Sequence, residues 1–140
     1  MKKLFNLTSF IVIQFLLFTS NAYAQNFWTG KHTLQITRLE TYHLSFNPIQ
    51  FGHSLPAGAK IERVEAYMSE DQIDRVSSTT HVCWNGISDC VPMYDKEFTT
   101  YNFRNRDASR PIYVVLRATN FGGLYPPAYV PITVTVYYKL

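Results

Sequence analysis

Charge is scarce in this sequence. Asp, Glu, Lys and Arg together make up 16% of it, with a formal net charge of +3. Lys2 and Lys3 fall in a segment expected to be removed, which leaves about +1. No basic stripe remains to neutralise phosphates, so no nucleic-acid partner is expected. Arg104, Arg106 and Arg110 cluster, but Asp107 sits among them, and a solvated loop accounts for the group. Glycine is sparse too, at six residues. Gly122–Gly123 lacks the lysine and the following helix that a phosphate-cradling loop needs. The four histidines, His32, His43, His53 and His81, are scattered, and none pair at metal-ligand spacing. Glu70, Asp71 and Asp74 lack the alternating oxygen ligands and glycine of a calcium loop. No histidine stands with Ser88 and Asp89 in a nucleophile arrangement. No catalytic residue, metal or cofactor is therefore expected.

Cysteine is limited to Cys83 and Cys90. Both lie in the portion expected to be exported, where a close pair becomes a disulfide. Six residues intervene, too many for the redox-active spacing of two. Two thiols alone are too few ligands for zinc.

The first residues read as a signal peptide. Met1–Lys3 is a short basic region, Leu4 to Phe18 is mostly apolar, and Ala22–Tyr23–Ala24 supplies a cleavage site. The apolar stretch is too short to span a bilayer comfortably. The expected organisation is a signal peptide over 1–24 and one domain over 25–140. No stable membrane insertion is expected once the leader is removed.

What the chain has in quantity is β-prone and aromatic residues, the latter 16% of it. Ile132, Val134, Val136 and Tyr138 share one face of a strand, while Thr133, Thr135, Tyr137 and Lys139 share the other. Pro111–Leu116 is its β-prone neighbour. Thr33–Phe46 reads as one long strand or a bent pair, with a change of phase between Arg38 and Thr41 that marks a bulge or corner. Gln25–Lys31 reads as a lead-in. Ile61–Met68 alternates, which favours strand over helix. Gln72–Val76 reads as a short strand, and Ser77–Ser78 as a turn. Thr79–Trp84 and Cys90–Tyr94 flank the disulfide loop, and the two cysteines are expected to face each other across its base. Phe98–Phe103 reads as a strand and Asn102–Ser109 as a polar arch. Seven to nine short strands with no convincing helix predict an all-β fold, a two-sheet antiparallel sandwich, with a small barrel as the alternative.

The corner Asn120–Pro127 separates the last two strands. Phe121, Leu124, Tyr125, Pro126, Pro127 and Tyr129 are read as loop residues. Rigid prolines and tyrosines in a loop suit a protein-binding surface. The plainer reading has this loop fold back and cap one end of the sandwich.

Several landmarks together resemble one family. They are Trp28 near the mature start, the pair Val82–Cys83 and Cys90–Val91, and the Pro-led strand Pro111–Val115. The corner Gly122–Gly123–Leu124–Tyr125–Pro126 and the ending Val134–Thr135–Val136–Tyr137–Tyr138–Lys139 complete the set. This pattern is similar to the FlhE family of periplasmic flagellar accessory proteins, over essentially the whole mature chain. The resemblance implies a small periplasmic β-sandwich without enzymatic activity. It also implies a protein partner in the flagellar export apparatus or basal body, restraint of proton leakage, and an influence on swarming. Only Cys83, Cys90 and the corner residues carry over by position. The alternative is an exported pilus or adhesin subunit. Its donor segment would alternate, which Gln25–Lys31 does not. A third reading, an enzyme or inhibitor acting on cell-wall material, would need His81 beside a carboxylate.

Overall fold

The fold is built outward from its last strand. In β8 (Ala128–Lys139) the residues Ala128, Val130, Ile132, Val134 and Val136 are buried, and their alternating neighbours are half-buried or exposed. This strand is hydrogen-bonded on both sides. It runs antiparallel to β1 (Asn26–Ile36) and to β3 (Lys60–Met68), and β6 (Glu97–Thr100) completes a sheet of order β1-β8-β3-β6. The second sheet has the order β2-β7-β4-β5, with β2 (Thr41–Phe46), β7 (Ile112–Asn120), β4 (Ser77–Trp84) and β5 (Cys90–Met93). The computed structural model describes residues 25–140; the leader expected over 1–24 lies outside the described residues. Two four-stranded antiparallel sheets face each other over one core, so the architecture is the sandwich and not the barrel.

The phase change between Arg38 and Thr41 is a corner that carries the chain from one sheet to the other. The Tyr42 hydroxyl holds it, accepting from the Thr37 and Arg38 amides and donating to the Arg38 carbonyl, each at 3.0 Å. Ile61–Met68 is a strand as expected. A register shift between Ile61 and Arg63 turns both Ile61 and Val64 into the core despite their odd spacing.

Several expectations about the strands need correction. Gln25–Lys31 is not a lead-in, because β1 begins at Asn26 and pairs from there with Tyr138. The alternation was hidden because the inward positions after Trp28 are Gly30 and His32. The space a Cβ on Gly30 would need is occupied by the Phe51 ring, which arrives from the 3-10 helix Pro48–Phe51. β1 therefore fills the place beside β8 in the first sheet. Gln72–Val76 is not a strand. It holds part of a single helical turn, α1 (Glu70–Ile73), followed by a turn in which the Arg75 and Val76 amides donate to the Gln72 carbonyl. That spacing brings Ile73 and Val76 into the core together. Ser77 and Ser78 already belong to β4. The strand at Phe98 stops at Thr100, whose hydroxyl accepts from the Asn102 amide at 3.2 Å, and Phe103 turns inward to be buried.

Cys83 lies directly opposite Cys90 in the β4–β5 register, and the two are bonded. The loop they close carries Asn85 at φ 53 and Gly86 at φ 132. The arch at 102–110 docks on that loop. Arg106 pairs with Asp89 and lies 5.1 Å from the Trp84 ring centroid. The Trp84 indole donates to the Asp107 carbonyl at 3.0 Å.

The Asp107 carboxylate accepts from the Ser109 hydroxyl at 2.6 Å and its amide at 2.9 Å. These two bonds, the side-chain one first, hold it below its ordinary value of 3.8; slight desolvation opposes them, and Arg110 and Lys60 add to them. A carboxyl depressed on folding stabilises the fold above its unfolded value, and that contribution is lost as pH falls through the folded value. Asp107→Asn should be less stable than the parent above pH 3.8 and converge with it below, as thermal unfolding across pH would show.

Candidate functional site

The corner between β7 and β8 is set by backbone geometry. Asn120 ends β7 and its side-chain oxygen accepts from the Gly122 amide at 2.7 Å, while the Leu124 amide donates to the Phe121 carbonyl at 3.1 Å. Gly122 has φ +61, and a Cβ there would fall 1.7 Å from the Arg75 carbonyl oxygen. Only glycine fits both the left-handed conformation and the close approach. The other anchor is Gln72 on α1, whose amide oxygen accepts from the Tyr129 amide. Gln72 and Arg75 hold the corner from a distant segment, and neither shows any local signal in the sequence.

These anchors divide the residues named from the sequence. Phe121 and Leu124 are half-buried and pack on the core, so this part of the corner caps the sandwich. Tyr125 is 93% exposed, and Pro126 and Pro127, joined by a cis peptide bond, are exposed beside it. Tyr129 is not a loop residue. It stands on β8 opposite Gln35 of β1, half-exposed on the outer face of the first sheet. The structure therefore presents Tyr125 and Pro126 at the tip and Tyr129 on the adjoining sheet face. Cys83 and Cys90 lie near the other end, since Trp84 pairs with Ile112 whereas Ser77 pairs with Asn120.

Gly122→Ala is expected to destabilise the fold by at least about 1–2 kcal/mol, the left-handed penalty alone, and to displace the corner from α1. Chemical denaturation, with amide exchange at Gln72 to Val76, would measure both.

Exposed His81 lies on β4 opposite Pro92 and Val115, and no carboxylate pairs with it among the described residues. No group of three or more His, Cys, Asp or Glu that could hold a metal occurs among the described residues. No helix among them is long and apolar enough to cross a membrane.

No protein-family model matches the sequence, and no curated protein matches it. Among solved structures, the crystal structure of FlhE is similar, with a TM-score of 0.59 and 15% sequence identity over 84% of this chain and 100% of that one. The likeness at this identity is one of fold: the sandwich spans the whole of the FlhE chain.

Proposed function

We propose that this chain is a periplasmic accessory protein of the flagellum that acts by docking, without catalysis. The observation that carries the reading is the match of its sandwich to the entire FlhE chain, found where the spacing of Trp28, the cysteine pair and the Gly-Gly-Leu-Tyr-Pro corner already resembled that family. A rigid aromatic tip suits the role. Tyr125 and Pro126 offer contact area with little conformational entropy to lose, and the half-buried Phe121 and Leu124 pack on the core beside them. The partner in this reading is a periplasm-facing part of the export apparatus or basal body. Occupying it restrains the export gate, limits proton leakage and thereby influences swarming.

The test places a photo-crosslinking amino acid at Tyr125 in a flagellated host, with Ile87 in the disulfide loop as the control at the opposite end. An adduct to a flagellar component from position 125 and not from 87 is expected. Deleting the gene should change swarming and acid sensitivity. No adduct, together with unchanged swarming and unchanged acid sensitivity, would overturn the proposal.

A further inference from the structure

The outer face of the first sheet carries a second candidate site, independent of the corner. Two rows of side chains cross it. In one row Lys31, Thr133, Tyr67 and Glu97 stand side by side on β1, β8, β3 and β6; in the next stand Thr29, Thr135, Glu65 and Thr99. Strands about 4.8 Å apart and rows about 7 Å apart make this a regular grid of side chains that bear oxygen at every position but Lys31. Between β3, β6 and β8 the grid sinks into an open cleft of about 320 Å³, near the lower end of the range for small-molecule sites.

The chemistry of the cleft selects among ligands. Tyr67, Thr133, Thr99 and Glu97, which carry three hydroxyls and a carboxylate, all line it. None of these four side chains has a protein partner among the described residues. They are held on strands, so little order need be gained when a ligand replaces water on them. Glu65 is paired to Arg63 at 3.2 Å, and Lys31 adjoins Thr133. Around the cleft the two carboxylates are thus matched by two cations, with Lys139 farther along β8 at the end of the sheet. A weak net field gives no strong attraction for a cation or an anion. Tyr67, 40% exposed, adds an aromatic surface whose negative face attracts polarised C–H groups.

We propose that this cleft binds a neutral oligosaccharide. Ring hydroxyls donate to Glu97 and exchange hydrogen bonds with Thr99, Thr133 and the Tyr67 hydroxyl. The C–H face of a sugar ring lies on Tyr67. The match rests on a row of hydroxyl-sized partners on a flat, charge-balanced face. A cationic peptide would need a surplus of carboxylates, which Arg63 and Lys31 remove.

The test is a titration of the ¹⁵N-labelled protein, expressed from its full-length coding sequence, with chitotetraose, cellotetraose and maltotetraose; spermidine is the cationic control. Saturable amide shifts confined to β3, β6 and β8 around Glu65, Tyr67, Thr99 and Thr133 are expected with at least one oligosaccharide. Glu97→Gln and Tyr67→Ala should each weaken that binding about tenfold or more. Tyr67→Phe should retain more of it than Tyr67→Ala, and Tyr125→Ala should leave it unchanged. Preserved spectral dispersion shows that each variant is folded, and Thr133→Val replaces any that is not. No localised shift with any oligosaccharide up to about 20 mM, or shifts with spermidine alone, would overturn the proposal.

Discussion

Trp28→Ala is expected to destabilise the domain by about 3–5 kcal/mol, the usual cost of removing a buried tryptophan. Trp28 is fully buried opposite Val136, at the start of β1. Its indole nitrogen also donates to the Ala108 carbonyl at 3.0 Å, so one side chain ties the first strand to the arch at 102–110. Trp28→Phe separates the two contributions. It keeps most of the volume but leaves the buried carbonyl unpaired, at a cost of about 1–3 kcal/mol. Phe27→Ala, on the opposite face and half-exposed, should cost much less than either. Urea titrations of the three variants give the order. A Trp28→Ala domain as stable as Phe27→Ala would show that the core does not depend on this residue.

The double replacement Cys83→Ala, Cys90→Ala should cost about 2.5 kcal/mol, the chain entropy released when so short a loop is no longer closed. The loss should be local in its dynamics. The closed loop carries Asp89, which pairs with Arg106, and begins at Trp84, which donates to the arch. Amide exchange should therefore quicken at 84–89 and across 102–110, while the corner at 120–127 keeps its protection. Dithiothreitol should reproduce the effect in the parent protein. An unchanged denaturation midpoint in the double variant would contradict this account.

Legibility along the chain depended on whether a residue's partner lies in its own segment. β8 could be read directly, because Ile132, Val134 and Val136 separate cleanly from Thr133 and Thr135. The cysteine pair could also be read, since its position between two strand-like flanks placed both thiols at the base of one loop. β1 could not be read from its start. Gly30 looks like a break in the pattern until Phe51 is seen to fill its place. Ile73 and Val76 hint at a strand only when the turn that brings both inward is unknown. In the candidate site, the aromatic content of the corner was visible, but its division was not. Phe121 and Leu124 are drawn inward because Gly122 rests on the Arg75 carbonyl and Gln72 holds Tyr129. The cleft at Tyr67 and Glu97 was invisible for the same reason: its residues come from β3, β6 and β8 and meet only in the sheet.

The antiparallel partnership of Asn26 with Tyr138 makes the ends of the folded domain neighbours. The opening strand pairs with β8 alone, so the first sheet closes only through contacts between segments far apart in the sequence. Such long-range pairing slows folding.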